Sequence, residues 1–432
     1  MRKIVLSSVA ACIAASAAHA EVGQVPKGIP ALDHVFVIMM ENHAYGQIAG
    51  NPQAPFINGL MGKANLATNY FAIAHPSNTN YLEVVGGSNF NKLSDQYPDW
   101  HNASCVPNIA PGQATNTDVP NSGVFCPIAG RNGHDAAIPV VDTSMNETSA
   151  PPLTNIDGKR SILAGTKIDG ISIADQLVAV GRSWKSYQEG LPIIGADGVN
   201  VSDGFYSIGG NNSEEINVTS DFAALSTTGN PVSASDVVYL YAVKHNPFVY
   251  FASVQEGRDR ALSLERTVSF EGPKGLYADL KEGSVPDFAF IAPNQCNDQH
   301  GRGNGGAFCQ FDPNDDGMQD GLNPALIYQG DVSAQRIVSA IHQSPAWKQG
   351  RSAIVLLWDE DDYSVAPTIN KVVFVVDTNY GPHGVQSNAF YTHFSLLKTV
   401  EGAFNLPCLN HACDSNVKAI TDLFEDQHGG RW

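Results

Sequence analysis

The feature that most constrains this chain is a set of short runs that stay apolar without alternating. They are 32–40 (LDHVFVIMM), 286–292 (PDFAFIA), 353–358 (AIVLLW) and 371–376 (KVVFVV), with 247–252 (PFVYFA) similar. A strand with one wet face alternates apolar and polar residues, whereas a strand covered on both faces does not. These runs therefore predict central strands of a sheet with helices on both sides. Helical periodicity lies between them at 172–184, 331–349 and 392–405, with Ser172, Asp331 and Thr392 placed as N-caps. Strands alternating with helices define an α/β fold with a mostly parallel central sheet flanked by helices. Residues 100–165 differ: rich in Gly, Pro, Asn and Ser and weakly periodic, they read as a loop-rich insertion or lid, and 195–235 are similar to a lesser degree.

The chain opens with Arg2 and Lys3, then small apolar residues, then Ala18-His19-Ala20. This is the pattern of a secretory signal peptide over 1–20, too short to span a bilayer. The expected product starts near Glu21, is periplasmic or secreted, and has no stable membrane anchor. Six cysteines remain beyond Cys12, an even number in an oxidising compartment. Sequence proximity favours Cys105–Cys126, Cys296–Cys309 and Cys408–Cys413, and no C-x-x-C suggests a metal cluster. The formal net charge is −18 and becomes −20 without Arg2 and Lys3. So acidic a surface argues against nucleic acid or an anionic membrane as partner and suits a protein that gathers cations.

The polar residues that follow the strands carry the chemistry. Glu41-Asn42-His43 follows the first run, Asn297-Asp298-Gln299-His300 follows the run at 286–292, and Asp359-Glu360 follows the run at 353–358. In an open α/β sheet the ligand site lies off the carboxyl ends of the strands. Carboxylates gathered there cost several kcal/mol unless neutralised, and a divalent metal neutralises them. Oxygen donors with a few imidazoles allow Ca, Mg, Mn, Fe or Zn. Ser77, in HPSNTNYLEVVGG (75–87), precedes an apolar stretch. At a helix N-terminus it would have free backbone N–H groups beside it, a place that binds phosphoryl groups. An N-cap is the alternative role for the same residue.

Six segments occur in a fixed order: Glu41-Asn42, H-P-S-x-x-N-Y (75–81), K-H-N-P-F (244–248), P-N-x-C-N-D-x-H (293–300), W-D-E (358–360) and H-F-S-L-L-K-T-V-E (393–401). Together they resemble the phosphoesterase family that includes bacterial and fungal acid phosphatases and bacterial phospholipases C, similar in fold to alkaline phosphatase. The resemblance runs from about 32 to 410 and implies a single domain over 21–432. It implies that Ser77 is the nucleophile phosphorylated in turnover and that Asn80 contacts the phosphoryl oxygens. It implies that Glu41, Asn42, Ser77, Asp359 and Glu360 hold a divalent metal. Asp298, His300 and His393 match a second cluster, which holds either another metal or the phosphate itself. His245 matches a substrate-side histidine. Imidazoles of His245, His300 and His393 would supply the leaving-group proton at mildly acidic pH.

The expected activity is an exported, metal-dependent acid phosphatase acting on small phosphorylated substrates. The alternatives are a phospholipase C or phosphodiesterase cleaving phosphocholine-type diesters, and a non-catalytic metal- or phosphate-binding protein. A sulfatase is disfavoured, because Asn78-Thr79-Asn80-Tyr81 after Ser77 lacks the arginine of C/S-x-P-x-R. Asp361 and Asp362 are expected in solvated loop or supporting positions. Asp312, Asn314, Asp316, Gly317 and Asp320 follow EF-hand spacing, but Pro313 interrupts it and Asn323 replaces the closing Glu, so a polar turn is expected. Trp184 is expected in the core, Glu189 facing the site, and His43 pointing away from it.

Overall fold

A computed structural model describes residues 28–73, 77–90, 168–191, 241–301, 319–361 and 370–425, with Cys309 and Asp312. Residues 1–20, 100–165 and 195–235, Cys105–Cys126, Asp362 and most of the EF-hand-like segment lie outside the described residues.

The main sheet is built from β1 (His34–Met40), β2 (Asn65–Ala67), β4 (Trp184–Gln188), β5 (Thr267–Val268), β6 (Phe288–Ala292), β7 (Ser352–Trp358), β8 (Phe374–Thr378) and β9 (Gln386–Ser387). Strands β3 (Tyr70–Phe71) and β10 (Tyr391–Thr392) form a separate parallel pair. The order across the main sheet is β5-β4-β6-β1-β7-β8-β2-β9. Every pairing is parallel except those that β8 makes with β7 and β2, so β8 alone runs against the rest. The α/β class and the mostly parallel sheet hold. The central strands lose both faces to neighbouring layers, which is why their sequences do not alternate: every residue of β6 and β7 is buried.

One apolar run is not a strand. Pro247–Tyr250 forms a short 3-10 helix, with Pro247 in its first turn. Proline has no N–H for a ladder, and a short buried apolar run looks the same in either state. The helix expected at 172–184 is Ile173–Ala179, preceded by Ser172; Gly181 (φ +76°) ends the turn after it, and Trp184 opens β4. Thr392 precedes the helix His393–Ala403 as expected.

Asp331 is not an N-cap of its own helix. That helix begins at Pro324, capped by Asn323, and ends at Gln343, before Ser344-Pro345. The Asp331 carboxylate instead accepts hydrogen bonds from the backbone N–H of Phe56 (3.0 Å) and Ile57 (2.7 Å). It caps the neighbouring helix Pro55–Lys63, whose own N-cap position is Ala54 and offers no side-chain acceptor.

The three ends that matter are stitched together by backbone. Glu41 N–H donates to the Asp298 carbonyl (2.9 Å), and Asp359 N–H to the Met40 carbonyl (3.0 Å). Cys296–Cys309 and Cys408–Cys413 are disulfides, and the first closes the segment that follows β6.

Candidate active site

Ser77 opens the ten-residue helix Ser77–Gly86, which is buried throughout. Its hydroxyl lies 2.9 Å from Glu41 Oε2 and 3.2 Å from Glu360 Oε1. Asn80, one turn later on the same helix, donates to Glu360 Oε2 (3.0 Å) and accepts from the Ile73 N–H (3.1 Å). The carboxyl ends of β1 and β7 thus grip the start of this helix from both sides. Asn42 meets the same cluster through its backbone N–H, which donates to Asp359 Oδ1 (3.1 Å).

His245 sits between two carboxylates, with Nε2 3.0 Å from Glu41 Oε1 and Nδ1 3.3 Å from Asp298 Oδ2. Its ring stacks on Tyr81 at 5.1 Å and 9°. His300 N–H donates to Asp298 Oδ1 (2.8 Å). A continuous line of contacts therefore runs Ser77–Glu41–His245–Asp298–His300.

Burial dominates the protonation of this cluster. Asp359 is pushed well above the usual carboxylate range by burial and then by Glu41 and Glu360. Asp298 rises for the same first reason and by Glu41. Burial, then Lys244 and His300, drives His245 well below an ordinary imidazole, and burial takes His393 down to about 4. Burial therefore disfavours the protonated form of both rings.

Asp359 Oδ2 is buried without a hydrogen-bond partner, beside Glu41 and Glu360. An orphaned carboxylate oxygen among other carboxylates fits a cation, and an oxygen-rich donor set fits a hard or borderline one. Glu41, His245 and Asp298 also form a buried group whose ligand atoms lie within 4.8 Å of one another. This differs from the second cluster expected from sequence. His393 is not with Asp298 and His300: its Nε2 donates to the Asp359 carbonyl (2.6 Å), and its Nδ1 accepts from Tyr70 OH (2.9 Å). His300 Nδ1 faces the Gly301 carbonyl (2.9 Å) and its Nε2 faces Lys244 Nζ (3.1 Å). A carbonyl only accepts and an ammonium only donates, so both ring nitrogens of each histidine are engaged.

Sequence reading missed several supports. Gln299 holds φ +81°, rare for a side chain of its size, between Asp298 and His300. It is pinned by Trp358 Nε1 on its Oε1 (3.0 Å) and by the Ile327 carbonyl on its Nε2 (2.8 Å). Gly330 leaves room for it, since a Cβ there would lie 2.2 Å from Gln299 Cγ. Tyr70 and Lys244 carried no signal beyond their place in or near the motifs. Glu189 supports the site rather than facing it: Oε2 accepts from Asn294 N (3.1 Å) and Asn297 Nδ2 (2.8 Å), and Oε1 from Arg336 (3.0 Å). Asp361 is buried and exchanges two hydrogen bonds with Asn370 (2.7 and 2.8 Å), the supporting position rather than the solvated one. His43 turns to Asp312 (2.7 Å), whose other oxygen accepts from Asn323 N–H. Trp184 is core.

A mostly parallel sheet with a serine-headed helix and acidic strand ends suits a phosphoric ester hydrolase, and the comparisons with known proteins give that class. The phosphoesterase family profile matches residues 50–407, and the chain belongs to that family. It is 24% identical over 407 residues to a phosphatidylinositol-3-phosphatase of Mycobacterium tuberculosis, covering 94% of this chain and 87% of that protein. It is 24% identical to a probable acid phosphatase of Kluyveromyces lactis (94% of this chain, 67% of that protein). It is 22% identical to an acid phosphatase of Aspergillus fumigatus (90% and 59%). Among solved structures it is similar to a protein in the alkaline phosphatase superfamily from Vibrio parahaemolyticus, at TM-score 0.45 and 8% identity over 92% of this chain and 72% of that one.

Proposed function

We propose that this hydrolase is an exported, metal-dependent acid phosphatase that cleaves phosphomonoesters through a phosphoserine at Ser77. The observation that carries the reading is the Ser77 hydroxyl held between Glu41 and Glu360 at the head of a buried helix. The relatives named above are phosphatases, which favours monoesters over diesters.

Glu41, Asn42, Ser77, Asp359 and Glu360 would hold a divalent cation, which would neutralise the acids and lower the hydroxyl pKa. Ser77 Oγ attacks phosphorus, with Glu41 Oε2 the nearest acceptor for its proton. The bond from phosphorus to the alcohol oxygen breaks, and the electron pair leaves on that oxygen. The His245–Asp298 pair, in contact at 3.3 Å, supplies a proton to it. Water then attacks phosphorus, the bond to Oγ breaks, and Ser77 recovers its proton as phosphate departs. Backbone N–H groups of the helix and Asn80 orient the phosphoryl oxygens. His300 and His393 act by holding Asp298 and Asp359 in place.

The reading includes a signal peptide over 1–20 and one domain over 21–432, with about 100–165 as a loop-rich insertion or lid. The two disulfides suit an oxidising compartment. No described helix is long and apolar enough to cross a membrane.

Hydrolysis of a chromogenic phosphomonoester from pH 4 to 9, before and after chelation, tests this. Chelation should abolish turnover, and one divalent cation should restore it. Ser77→Ala should lose activity by roughly 10³-fold or more, and acid quenching of the wild type should trap phosphate on Ser77. Turnover that survives both chelation and Ser77→Ala would refute the mechanism; turnover of diesters alone would move the assignment to phospholipase C chemistry.

A further inference from the structure

The two-stranded sheet of β3 and β10 has no part in the steps above. Its register sets Tyr391 beside Tyr70 and Thr392 beside Phe71, which brings Tyr70 next to His393, the first residue of the helix after β10. Tyr70 and His393 are both buried with no exposed surface. The Tyr70 ring is stacked on Phe374 (4.2 Å between centroids, 17°), and its hydroxyl donates to His393 Nδ1 (2.9 Å). His393 Nε2 donates in turn to the Asp359 carbonyl (2.6 Å). This chain of donors has one direction. A carbonyl only accepts, so Nε2 carries the proton and Nδ1 is the acceptor that the phenol fills.

The carbonyl at the end of the chain belongs to the peptide that joins Asp359 to Glu360. A peptide unit is planar, so its orientation sets the backbone directions from which both side chains leave. The peptide before Asp359 is fixed by its N–H on the Met40 carbonyl (3.0 Å), and His393 fixes the one after it. Strand β3 also holds the segment that packs beside this turn. The Tyr70 carbonyl accepts from Val372 N–H (3.1 Å), and Ala72 N–H donates to the Asn370 carbonyl (2.9 Å). Asn370 in turn exchanges two hydrogen bonds with Asp361. One strand thus reaches the turn after β7 at Asp359 and again at Asp361.

We propose that Tyr70 is a positioning residue for the Asp359–Glu360 pair: by fixing the tautomer of His393 it holds the peptide that aims both carboxylates, and so sets the affinity of the site for its divalent cation. The proposal rests on the metal site of the phosphatase reading above. Without the Tyr70 hydroxyl, Nδ1 loses its donor and the ring is free to take the other tautomer, in which Nε2 has no proton for the Asp359 carbonyl. Partners that orient metal ligands are worth about 10- to 100-fold in metal affinity.

The test uses chelator-stripped wild type, Tyr70→Phe, His393→Leu and the double variant. Each is titrated by calorimetry with calcium, magnesium, manganese and zinc, and kcat on p-nitrophenyl phosphate is followed against the cation that wild type binds most tightly. Tyr70→Phe keeps the ring on Phe374 and loses only the hydroxyl. It should bind that cation about 10-fold more weakly, with a smaller loss in kcat once the cation is saturating. Imidazole nitrogen NMR of the stripped proteins should show His393 as one tautomer, protonated on Nε2, in wild type and as a mixture in Tyr70→Phe. His393→Leu should lose at least as much affinity, and adding Tyr70→Phe to it should bring no further loss. Equal affinities in wild type and Tyr70→Phe, or losses that add in the double variant, would overturn the proposal and leave the metal site standing. A wild type that binds none of the four cations would overturn the metal site and this role together. Should Tyr70→Phe fail to fold, His393→Gln and His393→Leu carry the comparison: Gln can still donate to the Asp359 carbonyl and should keep more of the affinity, and equal losses in the two would overturn the proposal.

Discussion

Single buried ionisable groups outside the site have measurable consequences. Glu401 lies in the helix His393–Ala403 with no exposed surface. Burial pushes its carboxyl well above the usual range, although the Leu409 backbone, Lys398 and Gln176 pull it down. A group raised in the fold contributes stability that is complete below its unfolded value of 4.5 and is lost as pH rises through the folded value. Glu401→Gln keeps the shape and removes the titration. Its melting temperature should match the wild type near about pH 4 and exceed it by a few degrees near about pH 7. Calorimetric scans across that interval check it. A difference that does not change with pH would mean that Glu401 is ionised in the fold.

At the scale of elements, the fold depends on caps borrowed across the chain. The helix Pro55–Lys63 begins after Ala54, which cannot cap, and Asp331 of another helix supplies the acceptor to Phe56 and Ile57. Asp331→Ala should cost about 1–2 kcal/mol, the usual loss for a removed cap, read as a lower denaturation midpoint with an unchanged slope. An undisturbed midpoint would show that water replaces the carboxylate. The same residue shows where the sequence misleads. A local pattern identifies Asp331 as a capping residue but not which helix it caps, because the partner lies 274 positions away. The buried strands β1, β6 and β7 were legible because burial on both faces suppresses alternation. Pro247–Tyr250 was not, since the same burial makes a short helix look like a strand. In the site, Ser77, Asn80, Glu41 and Glu360 came together as their strand and helix ends predicted. The separation of His393 from His300 depends on Tyr70 and Lys244, whose contacts span 323 and 56 positions and leave no local trace.

At the scale of the whole molecule, the buried acid cluster gives the proposed cation site a readout in stability. Glu41, Asp298, Asp359 and Glu360 are all buried, and Asp359 carries an oxygen without a hydrogen bond. Without a cation the fold holds these groups together at the expense of stability, either by taking up protons or by tolerating repulsion. A ligand that binds only the folded state stabilises it by about 2.7 kcal/mol at one hundred times its dissociation constant. Chelator-stripped protein should therefore melt several degrees lower than protein with its preferred divalent metal, and the melting temperature should climb with the logarithm of metal concentration. Asp359→Asn separates the two contributions. It removes charge from the cluster, so the stripped variant should melt no lower than the stripped wild type, while its response to metal should shrink. Thermal scans of both proteins against calcium, magnesium, manganese, iron and zinc check this without any enzymatic readout. A melting temperature that ignores every cation in both proteins would mean that the fold neutralises its own carboxylates with protons and Lys244, and the metal would have to be removed from the mechanism.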